Sequence, residues 1–392
     1  MDAQPAQQPT STTYARAQQP ADSPAAALLT ETLIRVFELA LEEEEDPFER
    51  QKLRWRFQKV SWQWSTAVGE QREYAVTTDK EAQALKRAIS MTGRSDEVQS
   101  LALTTSNLDL APWKEELLQL CSAVNKLELS LLPPSDLALP GNVTRRAPEV
   151  LACSKGVRKF VLNDRRGYTA HHLFDLSGFL NSWPSLKSLE VKIAVHQGFT
   201  WARAAPSSLQ HLEIPASDLL LVRVLLPHLR DPTLFRSLRI RIDPDYPSTP
   251  HESLAEELLP LANRLHRFSA LGGWEPSTEF EQLIGAMSSL QHLELGYTTS
   301  NALPADETKH NLPPSASLGQ LASLRELILR DVGKAQTTTY LLATLNDLLS
   351  TPPASLKRIQ LDSSLTTSWP EGARAELESK AEAAGVWLVF VV

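Results

Sequence analysis

Leu290-Gln-His-Leu-Glu-Leu295 is one statement of a six-residue phrase that returns throughout this chain: apolar, two variable residues, apolar, one variable residue, apolar. The phrase stands at Val98–Leu103, Val124–Leu129, Val157–Leu162, Leu186–Val191, Leu209–Ile214, Phe235–Ile240, Leu265–Ala270, Leu324–Leu329 and Leu356–Leu361. A more apolar copy closes the chain at Val386–Val391. Successive starts lie between 23 residues (186 to 209) and 34 residues (290 to 324) apart. Alternation inside the phrase predicts a short strand, because strand side chains point to opposite faces in turn. Between phrases, helical patterns occupy Trp113–Ala123, His171–Trp183, Leu219–Leu229, Leu254–Asn263, Phe280–Ser288, Tyr340–Leu349 and Glu371–Ala384.

This phrase at this period is the leucine-rich-repeat signature. One strand-plus-helix unit cannot bury its own apolar side, whereas stacked units share a continuous core. The expected fold is therefore α/β: a solenoid with a parallel sheet, preceded by a small all-α domain. The chain divides into a disordered tail over 1–24, a helical domain over 25–70, a linker with a short helix over 71–97, and degenerate repeats over 98–392. An array of this kind points to binding rather than chemistry, so no enzyme activity is expected.

Composition agrees. Hydrophobic residues are 42% and charged residues 22%, a globular balance. The net charge of -8, from 39 basic and 47 acidic residues, argues against nucleic acid as a partner. Cys121 and Cys153 precede strand phrases and read as core thiols, which fits a reducing compartment. Residues 1–22 lack the apolar region of a signal peptide, and the run Asp218–Pro227 is too short to span a membrane. Localisation in the cytoplasm or nucleus is expected.

In the phrase Leu209–Ile214, Leu212 and Ile214 point into the core, so His211 and Glu213 point to the open face. The same alternation places Arg239, Arg241 and Arg267 on that face in adjacent units. They form a candidate substrate-binding patch, since arginine suits bidentate recognition of carboxylate or phosphate. Pairing with Glu213 and Glu294 across the sheet is the alternative. The Pro-rich loop Asp243–Pro250 is a second candidate. No metal ligands with a recognised spacing, no phosphate loop and no nucleophile motif occur, so no metal or cofactor is expected.

The segment ahead of the repeats follows another pattern. Leu33, Val36, Phe37 and Ala40 fall at helical spacing, widened by Ile34 and Leu41, with Thr30 as N-cap. The first helix should run to the acidic stretch Glu42–Asp46, and Pro47 should turn the chain. Leu53, Phe57, Val60 and Trp64 suggest a second helix. Apolar residues on more than one face call for burial beyond this helix pair.

These residues resemble an F-box: Leu28-Leu-Thr-Glu31, Leu33-Ile34, Val36-Phe37 and Leu39-Ala40, followed by Leu53-Arg54 and Val60-Ser-Trp-Gln-Trp64. Leu29 stands where the family has proline, and Glu42–Lys52 is an acidic insert. The order of F-box first and repeats second resembles F-box proteins with leucine-rich repeats. That resemblance implies docking on a Skp-type adaptor, and through it a cullin, by Leu28, Leu29, Leu33, Ile34, Val36, Phe37, Val60 and Trp64. It also implies an unidentified protein substrate held by the repeats. The alternatives are a helical cap on the array, and a repeat scaffold with no ligase role.

Overall fold

The computed structural model describes residues 30–69, 71–105, 112–131, 154–164, 183–192, 208–215, 234–241, 258–271, 278–297, 315–331, 339–367 and 369–391. Contacts divide the chain into two compact units, Met1–Ala75 and Val76–Val392.

Helices α1 (Thr30–Glu43), α2 (Pro47–Val60) and α3 (Trp62–Val68) build the first unit. Leu33, Phe37 and Leu41 recur every fourth residue, which sets them on one face of α1, and all three are buried. Phe37 stacks on Phe57 at 4.5 Å between ring centroids and meets Trp64 at 5.0 Å. The acidic end of α1 opposes its own dipole, and Arg50 compensates: its guanidinium donates to the Glu44 carbonyl at 2.8 and 2.6 Å.

The second helix differs from the sequence expectation. Pro47 begins it rather than merely turning the chain, because proline's missing N–H costs nothing at a first helical position and Asp46 caps it by accepting from Phe48 N at 2.8 Å. The helix thus runs through much of the acidic insert. It stops at Ser61, whose extended backbone breaks the run and whose hydroxyl accepts from Trp64 N to start α3. Val60 and Trp64 therefore sit on different helices.

A short strand, β1 (Glu73–Val76), spans the unit boundary and was not foreseen in the linker. Helix α4 (Asp79–Thr92) follows, opened by a capping box between Thr78 and Glu81.

The expected sheet is present. Strands β2 (Ser100–Thr105), β3 (Lys126–Leu131), β4 (Lys159–Asp164), β5 (Ser188–Val191), β6 (His211–Pro215) and β7 (Ser237–Arg241) are followed by β8 (Arg267–Leu271), β9 (His292–Tyr297), β10 (Glu326–Asp331), β11 (Arg358–Asp362) and β12 (Trp387–Val391). They stand in chain order in one sheet, and each strand from β2 to β11 pairs in parallel with the next. All eleven phrases supply a strand. Leu212 and Leu293, expected to point inward, are fully buried.

One device repeats in nine successive units. The residue just ahead of each strand offers a single carbonyl to two N–H groups of the next unit. Asn125 N and Lys126 N donate to Gln99 O, and the series continues to Lys357 N and Arg358 N on Arg325 O, at 2.7–3.1 Å. The shared acceptor kinks the chain into the strand and fixes each unit's height against its neighbour.

The last phrase is one residue out of step. Trp387, not Leu388, pairs with Arg358. Gly385 turns with φ +68°, a conformation that disfavours a Cβ, and Val386 is consumed in the bend.

Helices α5 (Pro112–Leu120), α6 (Thr278–Gly285), α7 (Ser315–Gly319), α8 (Thr339–Ser350) and α9 (Ala373–Ala383) connect strands, with residues 258–262 also helical. Neighbouring helices pack on one another, α7 on α8 and α8 on α9. The last packs on β12, where the Arg374 guanidinium lies 3.8 Å from the Phe390 ring centroid. Cys121 is buried, and burial raises its thiol to about 11. Cys153, the predicted helix 219–229 and all of the predicted helix 171–183 except Trp183, which is not helical, fall outside the described residues. Among the described residues, no helix is long and apolar enough to cross a membrane.

Candidate functional site

The open face is organised as rows that run across the strands. Register sets the central row: Ala102, Glu128, Val161, Glu190, Glu213, Arg239, Ser269, Glu294, Ile328, Gln360 and Val389 are cross-strand neighbours in that order. Its four carboxylates are all buried. Carboxylates removed from water need cations, and the neighbouring positions supply them.

Glu294 is held by three side chains. Arg239 Nη2 reaches its Oε2 at 2.5 Å, Ser269 Oγ donates to the same oxygen at 2.8 Å, and Arg330 Nε approaches Oε1 at 3.1 Å. Burial pushes this carboxyl up, but the bonds from Arg239, Ser269 and Arg330 more than offset it and hold it below the usual carboxylate range. The chain of charges continues outward. Arg330 binds Asp362 at 3.2 Å, Arg358 binds Glu326 at 3.2 Å, and Glu326 meets His292 Nδ1 at 2.9 Å.

A second cluster sits on β4 to β6. Lys159 pairs with Glu190. Burial pushes the Glu190 carboxyl up, and Lys159, with Lys192 and His211 behind it, brings it back below its ordinary value. His211 is lowered by burial, against the pull of Glu190 and Glu213, and its Nδ1 lies 2.7 Å from Ser237 Oγ. Glu190, His211 and Glu213 each bring one ligand atom within 4.8 Å of the others. An imidazole with two carboxylates is a donor set that zinc or manganese accepts. Lys159 already holds Glu190, however, and Arg239 Nη1 lies 3.8 Å from Glu213. The protein's own cations thus neutralise the set, and the cluster belongs to the ion-pair chain.

The fold is of the leucine-rich-repeat type. No family model matches the chain, and no curated protein matches it. Among solved structures it is similar to a protein from Bacteroides fragilis, with 12% identity, a TM-score of 0.40, and coverage of 79% of this chain and 82% of that one. It is also similar to the leucine-rich repeat-containing protein LegL7 from Legionella pneumophila, with 14% identity, a TM-score of 0.38, and coverage of 74% and 82%.

Two members of the arginine patch read from the sequence, Arg239 and Arg267, stand on the neighbouring strands β7 and β8 and differ in their partners. Arg239 belongs to the ion-pair chain with Glu213 and Glu294, as the alternative reading anticipated. Arg267 is exposed and has no ion pair among the described residues. The Arg241 side chain and the loop 243–250 lie outside the described residues.

The candidate adaptor residues separate into two groups. Leu33 and Phe37 are core of the first unit, and Trp64 packs against them. Ile34, Val36 and Val60 are exposed at 38%, 49% and 49%, alongside Leu39, Trp55 and Trp62, which the sequence reading did not place in the site. Leu28 and Leu29 lie outside the described residues. At about 100° per residue, the apolar arc of α1 runs from Leu39 through Val36, Leu33 and Phe37 to Ile34. The helix thus carries more apolar surface than its own unit buries.

Proposed function

We propose that this chain is the substrate-recognition subunit of an SCF-type cullin-RING ubiquitin ligase, itself without catalytic chemistry. The helical unit docks a Skp-type adaptor, and the repeats hold the protein to be ubiquitylated. The observation that carries this reading is the split apolar arc of α1. Leu33 and Phe37 close the core with Ala67 and Val68 of α3, while Ile34, Val36 and Leu39 are exposed. Such flanking residues suit a hydrophobic interface around a helix that is already folded. The resemblance of residues 28–64 to an F-box, followed by repeats, supports the same assignment. Purifying the tagged chain from its own cells tests it: adaptor and cullin should co-purify, and their absence would remove the ligase role.

A repeat scaffold with no ligase role is the second reading. It is favoured by Gln51, whose side-chain amide takes both backbone groups of Ala75, at 3.0 and 2.9 Å, as a neighbouring strand would. This ties α2 to the start of β1 within the first unit, a structural task for the helices that needs no adaptor.

A further inference from the structure

The residue ahead of each strand, whose carbonyl is shared by the next unit, has a compositional bias that the fold does not require. From Gln99 to Lys357 these positions hold Arg158, Lys187, Arg236, Arg325 and Lys357, one histidine and four Gln or Asn, and no carboxylate. The first residue of each strand continues the bias, with Lys126, Lys159, Arg267 and Arg358 against the single acid Glu326. Nine cations therefore face one carboxylate along one edge of a chain whose net charge is -8.

Arg158, Lys187, Arg236, Arg267, Arg325 and Lys357 are all exposed and have no ion pair among the described residues. They are neighbours in twos. Lys187 N donates to Arg158 O, Arg267 N to Arg236 O, and Lys357 N to Arg325 O. Strands stand ~4.8 Å apart, so the seven steps from β4 to β11 make an edge of ~34 Å, the length of about ten extended residues. Unpaired cations this close repel one another, and an anion laid along them relieves the repulsion.

We propose that this edge binds an extended acidic segment of a partner protein. Arginine forks match carboxylates, and the cations recur at the spacing of the strands. Nucleic acid fits less well. From β4 to β11 neither of these two positions in any unit holds a Phe, Tyr or Trp on which bases would stack, and the rings present are the imidazoles of His211, His266 and His292. The proposal deepens the reading of the repeats as a substrate-binding surface and rests on it only in naming the partner a ubiquitylation target.

The test uses the purified full chain and fluorescence anisotropy. The probes are a labelled ten-residue glutamate-rich peptide, a glutamine-rich peptide of equal length and a ten-nucleotide oligouridine. The glutamate peptide should bind, weaken steeply with added salt, and lose about tenfold in affinity in Arg158→Glu/Lys187→Glu/Arg325→Glu/Lys357→Glu, since each exposed pair contributes modestly. A milder variant, Arg236→Gln/Arg267→Gln, should lose less but measurably, which keeps the test decisive if the fourfold variant folds poorly. Equal binding of the glutamine peptide, tighter binding of oligouridine, no binding of the glutamate peptide, or unchanged binding in both variants would overturn the proposal. Adaptor capture by the same preparations keeps the two readings apart. Capture without peptide binding defeats only the basic edge, and peptide binding without capture defeats only the ligase assignment.

Discussion

Arg239 on β7 and Glu294 on β9 are joined across the intervening strand β8, 55 residues apart in sequence. Ser269 on β8 is small enough to lie between them and joins both, accepting from Arg239 Nε at 3.2 Å and donating to Glu294 at 2.8 Å. Three units are thereby fastened on their open face as well as through their core. Removing one partner leaves a buried charge with fewer bonds. Arg239→Ala should therefore lower stability by about 1–3 kcal/mol, read as a shifted urea midpoint. A midpoint equal to wild type would mean that the pair is dispensable.

The same pair gives a pH dependence. The folded carboxyls of Glu294 and Glu190 are held below their ordinary value, so the unfolded chain binds the proton more readily. Their contribution is complete above the unfolded carboxylate value of ~4.3 and is lost as pH falls below it through the folded values. Urea midpoints measured downward from pH 7 should fall through that window, and Glu294→Gln should flatten the slope.

Lys114 on α5 is buried, and burial lowers its ammonium to about 8. The unfolded chain then holds this proton more tightly, so wild-type stability should rise between about pH 8 and the ordinary lysine value of ~10.4. Lys114→Met keeps the volume without the charge and should raise the urea midpoint at pH 7. A lower midpoint would show that the contact of the ammonium with the Trp113 ring, 5.2 Å from its centroid, outweighs the cost of burying the charge.

The strand phrases were legible because their period is enforced by burial at every unit. Leu293 illustrates the pressure: fully buried, it should cost about 2–5 kcal/mol when replaced by alanine, measured by chemical denaturation. A smaller feature was legible but unread. Ser208 and Ser355 each head a phrase, and their hydroxyls reach the carbonyls of Pro184 and Leu186, and of Ala322 and Leu324. Ser-Leu at 185, 289 and 323 repeats that signal. The break at Ser61 was hidden because Val60 and Trp64 keep helical spacing across it, and only the capping hydroxyl distinguishes two helices from one. The offset of β12 was hidden for the opposite reason. Its residues are apolar on both faces, so their pattern fixes no register, and Gly385 decides it.

The division of the adaptor candidates into inner and outer residues has a thermodynamic consequence. Phe37→Ala should cost about 3–5 kcal/mol of stability in the first unit, because the ring packs on Phe57 and Trp64. Ile34→Asp/Val36→Asp should leave the helical circular dichroism intact and cost far less in melting than Phe37→Ala, since both side chains lie outside the core and are exposed. Equal losses in the two variants would place Ile34 and Val36 inside the core.

The central claim is that the first unit docks a Skp-type adaptor. Size-exclusion chromatography of the purified chain mixed with purified adaptor tests it most directly. A one-to-one complex should form with wild type and be lost with Ile34→Asp/Val36→Asp. Two folded proteins eluting separately, or a complex indifferent to those two substitutions, would contradict it.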